Sequence, residues 1–311
     1  MSKRHLRFAT KTPVRHGIAI GLVCVLSTVI EVITPTRAAS ITVSDDHQRT
    51  VTLQSPARRA ITTAPHATEM VYAAGAGEYL VGTTRGSNYP PSALDLPSVG
   101  DGLRPNLEIA TILQPDLLIA WQPYASDRLS QLMQRQQVPV FYSDPRTLTG
   151  IADTIQTLGH VFGTQTKADA TAEALRQRIA QLENDYATRR PLRVFIQVGE
   201  NPLYTLNGKT LLSEAIKVCG GINIFSDLAP LAPQVSLESV IAASPDAVIV
   251  GVTAADPPHQ TLQNWQNHGL RAATLGHVLS FDADLLYRPG PRFIDATEQL
   301  CQALEQVRQG Q

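Results

Sequence analysis

The longest run of apolar positions along the chain has a helical period. Between Thr166 and Arg189 there is no Gly or Pro, and strong helix formers dominate. Ala172, Leu175, Ile179, Leu182 and Tyr186 recur at three- and four-residue steps and make one apolar stripe. Gly163-Thr164-Gln165-Thr166 supplies a start signal and Pro191 a stop. At about 1.5 Å per residue this helix runs roughly 35 Å, the breadth of a small domain. Segments of mixed strand and helix character flank it, so it reads as a rigid strut between two lobes. An ordinary helix packed inside one domain is the plainer alternative.

Before the strut, Ser40 to Leu53 alternates polar and apolar residues around Asp45-Asp46, a hairpin pattern. Strands are predicted at Arg59–Thr63, Tyr79–Thr83, Asp116–Ala120 and Val138–Tyr142. Helices are predicted at Pro65–Ala74, Leu107–Leu113, Ser126–Gln136 and Thr149–Phe162. Thr68 or His66 is expected to cap the first, and Gly75-Ala76-Gly77 to end it. After the strut, strands fall at Arg193–Val198 and Ala247–Val252. Helices fall within Gly208–Val218, closed by Cys219-Gly220-Gly221, and at Leu237–Ala243, Leu262–Asn267 and Phe293–Val307. Continuous apolar strands alternating with helices mean parallel sheets covered on both faces. The expected fold is α/β: two Rossmann-like lobes with mostly parallel sheets, residues 40–163 and 191–311, joined by one long α-helix over 164–190.

The halves share a repeat. Asn106-Leu107-Glu108 with Pro115-Asp116-Leu117-Leu118-Ile119 matches Ser236-Leu237-Glu238 with Pro245-Asp246-Ala247-Val248-Ile249 at a constant offset of 130. Each copy is a capping residue, Leu-Glu in a first helical turn, then Pro-Asp and a strand. A first-turn Glu complements the helix dipole, and one per lobe equally makes a matched pair of docking charges.

The first 39 residues differ in kind. Lys3, Arg4, Arg7, Lys11 and Arg15 precede an apolar run from Gly17 to Val32, and Thr36-Arg37-Ala38 offers small residues for cleavage. This reads as a secretory signal peptide and hence a periplasmic product; an uncleaved anchor and a lipoprotein cut before Cys24 are the weaker alternatives. The leader holds six of the 26 basic and one of the 27 acidic residues, leaving 20 against 26, a net charge of −6. That balance argues against a nucleic acid or an anionic membrane surface as partner. Cys219 and Cys301 remain after the leader, and an even pair in an exported protein reads as a disulfide.

A cleft between two such lobes is lined by the loops after the strands. Those loops carry His66, Tyr89, Trp121, Tyr124, Tyr204, Asp284, Tyr287, Arg288 and Arg292, a large share of the scarce aromatics. Aromatics with a few placed polar groups suit a large, partly apolar planar ligand. No Gly-x-Ser-x-Gly, phosphate-cradling loop or Cys-x-x-Cys is present. His66-x-x-Glu69 is half of a metal site at most, and a helix-entry histidine in ordinary hydrogen bonds is the commoner case.

Several stretches resemble a known family. Pro65-His66-Ala67-Thr68-Glu69, Ser87-Asn88-Tyr89-Pro90-Pro91 and Asn106-Leu107-Glu108 resemble stretches common in the helix-strut class of ABC-transporter substrate-binding proteins, which includes siderophore and haem binders. Pro115-Asp116-Leu117-Leu118-Ile119-Ala120-Trp121, Val218-Cys219-Gly220-Gly221-Ile222-Asn223-Ile224-Phe225 and Pro233-Gln234-Val235-Ser236 are more particular to its vitamin B12-binding branch. The resemblance runs from about Arg59 to Val307. It implies a disulfide between the two cysteines. It implies that Glu108 and Glu238 dock onto arginines of the transporter's membrane subunits. It places Trp121 and Asp284, Leu285, Leu286, Tyr287 and Arg288 at a corrinoid site, with Tyr89 in the other rim loop. Family aromatics that frame the corrin fall here on Gly86, Gly102 and Ala232, with Tyr89, Tyr124 and Tyr287 as the neighbouring substitutes.

The expectation is therefore a monomeric, non-enzymatic binding protein with no cofactor, resident metal or catalytic residue of its own. Its partners are a corrinoid and the membrane subunits of an ABC importer, and no nucleic acid. A continuous helix resists bending, so little hinge motion is expected. Cobinamide, haem held by Tyr89 or His66, or a siderophore are alternative ligands. A metal-dependent hydrolase using His66 and Glu69 is the alternative from another class.

Overall fold

The computed structural model describes residues 9–13, 40–102, 104–124, 127–256 and 259–310. The expected leader lies almost wholly outside them. Ala38–Gln311 forms one compact unit, and all of the described strands and helices lie within it.

The hairpin is formed by β1 (Ile41–Ser44) and β2 (Thr50–Leu53), paired antiparallel with Ile41 opposite Leu53. Asp45 closes its turn by accepting the His47 and Arg49 amides. A four-stranded sheet follows, made of β3 (Ala60–Thr62), β4 (Leu80–Gly82), β5 (Leu117–Ala120) and β6 (Val140–Tyr142). Its helices are α1 (Pro65–Ala73), α2 (Leu107–Ile112), α3 (Asp127–Arg135) and α4 (Leu148–Phe162). The long helix α5 (Gln165–Tyr186) leads to the second half. There β7 (Leu192–Gln197) is followed by a small hairpin, β8 (Gly199–Glu200) and β9 (Leu203–Tyr204), then α6 (Leu211–Val218) and β10 (Gly221–Asn223). Next come α7 (Leu237–Ala243), β11 (Ala247–Val252), α8 (Gln260–Asn267) and α9 (Arg271–Thr274). The chain ends with β12 (Val278–Asp282), α10 (Ala283–Leu286) and α11 (Arg292–Gln309).

Every pairing in the two four-stranded sheets is parallel. The orders are β4-β3-β5-β6 and β10-β7-β11-β12. Numbered within its half, each sheet reads 2-1-3-4, so the halves repeat a topology as well as a motif. The repeat is built from matching contacts. Asn106 and Ser236 each accept the amide three residues on, from Ile109 and Ser239. Asp116 accepts the Arg58 and Arg59 amides, and Asp246 accepts that of Arg193. The Arg59 guanidinium donates to the Leu113 carbonyl at the end of α2, and Arg193 donates to Ala243 at the end of α7. Gln114 and Ser244 both turn the chain with φ of 45°.

Strand residues point alternately to two faces. Leu117 and Ile119 of β5, with Leu192, Val194 and Ile196 of β7, face a core shared by α4, α5, α6 and α11. Leu118 and Ala120 face the layer of α2 and α3, and Phe195 and Val248 face that of α7 and α8. The α5 stripe is buried as its period requires: Ala172, Leu175, Ile179 and Leu182 join the shared core, with Ala168 added one turn earlier and Tyr186 half-buried at the end. The helix therefore links two separate sheets and roofs one core that runs beneath both. Cys219 at the end of α6 is bonded to Cys301 in α11, closing an 82-residue separation.

One capping expectation fails. The N-cap of α1 is Ala64, with no side-chain cap. Thr68 instead bonds Thr62 (2.7 Å) and Ser87 (3.0 Å) through buried hydroxyls, and the buried ring of His66 bonds the Ser143 carbonyl. Pro at the first helical position removes one orphan donor, so the side chains are free for tertiary contacts.

Candidate functional site

The loops beyond the carboxyl ends of both sheets converge on a cavity of about 470 Å³, within the range of small-molecule sites. The N-terminal half contributes Trp121, Tyr124, Asp144 and Arg146. The other half contributes Leu206, Lys209, Leu231, Leu286, Tyr287 and Phe293. Trp121 and Tyr287 are each held by hydrogen-bond partners. The Trp121 indole N–H donates to Asp144 Oδ1 at 2.9 Å, and its ring meets the His66 ring edge-on at 5.9 Å. Asp144 is buried and receives the Arg146 guanidinium; its own amide donates to Asp46 Oδ2 at 2.7 Å. Tyr287 donates its hydroxyl proton to the Gln197 carbonyl and accepts the Gly251 amide, so the ring stands against the end of β11. Burial raises the Tyr287 hydroxyl, which keeps its proton. Trp121 and Tyr287 still expose about 40% of their surface, and Tyr124 exposes 79%. Apolar faces of this size left uncovered in a concave site are what a ligand is expected to cover.

A polar rim adjoins the cavity. Asn88 and Tyr89 sit on the loop that Thr68 anchors through Ser87, where Gly86 has φ of 86°. That backbone favours glycine. Asn88 donates to Asp284 at 3.0 Å and accepts from Arg288 at 2.7 Å, and Arg288 pairs with Asp284 at 2.6 Å. Beneath them Glu69, with a side chain 1% exposed, receives Arg292 as a bidentate fork (2.6 and 2.9 Å) and has Arg288 3.7 Å away. The Arg292 guanidinium lies 4.1 Å from the centre of the Tyr89 ring. Glu69, Asn88 and Tyr89 come from the first half, and Asp284, Arg288 and Arg292 from the second.

Residues 61–283 match the family model described as periplasmic binding protein. The chain belongs to that family. Among curated relatives, the vitamin B12-binding protein of Vibrio cholerae is 38% identical over 250 residues, 80% of this chain and 90% of that protein. The vitamin B12-binding protein of Photorhabdus laumondii is 37% identical over 246 residues, 79% and 87% of the two chains. Among solved structures, the periplasmic vitamin B12 binding protein BtuF of Vibrio cholerae superposes with a TM-score of 0.73 at 38% identity, covering 81% of this chain and 98% of that one. The periplasmic heme-binding protein RhuT of Roseiflexus has a TM-score of 0.70 at 23% identity, covering 82% and 99%, and shows the shared fold alone.

In this periplasmic binding protein, four of the eight sequence-predicted ligand residues, Trp121, Tyr124, Leu286 and Tyr287, meet in the cavity. Tyr89, Asp284 and Arg288 form the adjoining rim. Leu285 is half-buried and is not among the cavity's lining side chains. Tyr204 belongs to the small hairpin opposite Gly199 and not to that lining. His66 is turned away, its Nε2–H spent on Ser143 and its pKa pushed down to about 4 by burial. Glu69 is spent on Arg292, so the His66-x-x-Glu69 spacing does not present a half metal site to the cleft. Sequence reasoning missed Asp144, Arg146, Leu206, Lys209 and Leu231. They sit on connections with no motif, and only their convergence marks them. Glu108 and Glu238 are both exposed in the first turn of equivalent crossover helices. Among the described residues no helix is long and apolar enough to cross a membrane.

Proposed function

We propose that this chain captures a corrinoid in the cleft between its two sheets and presents it to an inner-membrane ABC importer. The observation that carries this reading is a cavity walled by apolar and aromatic faces from both halves, in a chain 38% identical to a vitamin B12-binding protein across most of both lengths. Trp121, Tyr124, Leu286 and Tyr287 cover the faces of the macrocycle, Leu285 lends apolar support beside them, and Tyr89, Asp284 and Arg288 meet its polar periphery. The chain acts as a carrier and not as an enzyme. It is exported by the cleaved leader of residues 1–39 and works as a monomer, with residues 40–163 and 191–311 as lobes on the 164–190 helix.

Glu108 and Glu238 dock the two lobes onto the importer's membrane subunits. Their support is the matched geometry of the repeat: the same capped first turn, with the same alternation of exposed and half-buried residues from Asn106 to Ile109 and from Ser236 to Ser239. Calorimetry with cyanocobalamin, cobinamide and haemin side by side tests the reading. Tight binding of cyanocobalamin with much weaker haemin binding is expected, and the reverse order overturns it. Glu108→Ala with Glu238→Ala is expected to abolish uptake while cobalamin affinity stays unchanged; a loss of affinity counts against the docking role.

A further inference from the structure

We infer that Glu69 is the positioning residue of the cleft, holding ligand-side groups of both halves in register although its own carboxylate faces no ligand. This rests on the corrinoid reading for its purpose, while its geometry does not depend on it. Glu69 belongs to α1 and is almost wholly buried, yet both partners of its carboxylate come from the far end of the chain, more than 200 residues away. Arg292 makes the fork that fits a carboxylate bidentately, and its guanidinium plane then supports the Tyr89 ring at 4.1 Å. Arg288 is drawn to the same carboxylate and passes the constraint to Asp284 and Asn88.

One buried anion thus sets the position of Tyr89 from one half and of Arg288 and Asp284 from the other. A buried carboxylate is tolerated only when paired. Two guanidiniums without it would repel each other and leave Tyr89 unsupported. The shared core and α5 join the halves through apolar packing, whereas this hub joins them through charge at the rim itself. It accounts for why Glu69, sitting in a His-x-x-Glu spacing at a helix entry, is buried and aimed at arginines.

The test separates this inference from the corrinoid reading. In the full ligand-free protein, Glu69→Gln keeps the side-chain shape and removes the charge. Amide hydrogen exchange is expected to rise about tenfold in both segments 84–91 and 282–291, with β5 and β11 unchanged. Unchanged exchange in those segments overturns the inference whatever the ligand proves to be. With cyanocobalamin as probe, Glu69→Gln is expected to weaken binding about tenfold, mainly through faster release. Glu69→Gln combined with Arg288→Ala is expected to lose less than the product of the two single losses, because part of the Glu69 constraint passes through Arg288 and the rest through Arg292. Losses that multiply would mean that Glu69 does not act through Arg288 and would overturn the inference. Should Glu69→Gln fail to fold, Arg292→Ala and Tyr89→Ala carry the same cycle: a combined loss no larger than that of one single variant supports the hub, and multiplied losses overturn it.

Discussion

At the scale of single residues, the half-buried Asp46 and the buried His66, both beside the cleft, titrate in opposing directions. Burial pushes Asp46 up to about 6, against the bonds from Thr154 and the Asp144 amide that favour its charged form. The folded protein therefore holds the Asp46 proton more tightly than the unfolded chain, and this contribution to stability declines as pH rises from about 4 to 6. Burial pushes His66 down to about 4 from 6.5, so the unfolded chain protonates first and stability declines as pH falls through that window. The two partly cancel. Asp46→Asn is expected to expose the His66 effect, making the melting midpoint fall more steeply between pH 6.5 and 4 than in the native protein. The difference amounts to at most about 3 kcal/mol across the window. Parallel curves for the two proteins would refute this coupling.

Trp121 is anchored at its indole edge by Asp144, and Trp121→Ala is expected to weaken cobalamin binding roughly thirtyfold, about 2 kcal/mol. Asp144→Ala, which frees the indole N–H, is expected to cost part of that; isothermal titration reads both. Trp121 was legible in the sequence because it follows an apolar strand directly, at the position where parallel sheets place ligands. Asp144 was not, since a carboxylate after a strand has many bland uses and only the 2.9 Å contact to Trp121 singles it out.

At the scale of elements, the long helix was legible because twenty-two residues carry a helical stripe without a breaker. Its predicted end, at Arg189, ran three residues past the observed Tyr186. Pro191 limits how far a helix can reach, while fraying decides where it stops. Most strands of the parallel sheets were legible from continuous apolar runs, which burial on both faces imposes. Strands β10 and β12 were not: both are edge strands, β10 being three residues that begin at the Gly221 read as a helix break, and β12 mixing half-buried, buried and exposed residues. The four-residue helices α9 and α10 and the two-residue strands of the small hairpin are too short to leave a period.

The disulfide of Cys219 and Cys301 ties α6 to α11 across 82 residues. On the chain-entropy model a loop of that length is worth about 4 to 5 kcal/mol. Cys219→Ala with Cys301→Ala is expected to lower the melting midpoint by several degrees while cobalamin affinity, measured below that midpoint, stays within a factor of two. Affinity lost along with stability would place the bridge in control of the cleft instead.

At the scale of the whole molecule, the halves are joined in more than one place. The helix α5 is one connection, and the apolar core beneath it is another. The Glu214 carboxylate in α6 accepts the Leu148 amide at the start of α4 at 2.9 Å, and burial raises its pKa. The Glu69 hub closes the rim. With these ties, ligand binding is expected to move the halves by no more than about 1 Å, the scale of preorganised complexes. Small-angle scattering of the ligand-free and cobalamin-saturated protein checks this, and a compaction typical of hinge closure would contradict it.

Local pattern was enough for the α/β class, the strut, the internal repeat and most of the aromatic wall, because periodicity, caps and strand-end position are properties of neighbouring residues. Long-range packing sets the rest: one core runs under both sheets, His66 and Glu69 turn inward, and Asp144, Lys209 and Leu231 meet Trp121 and Tyr287 at one cavity. Those are contacts between residues up to 223 positions apart, and a side chain's partner at that distance is set by how the layers pack, which no local pattern records.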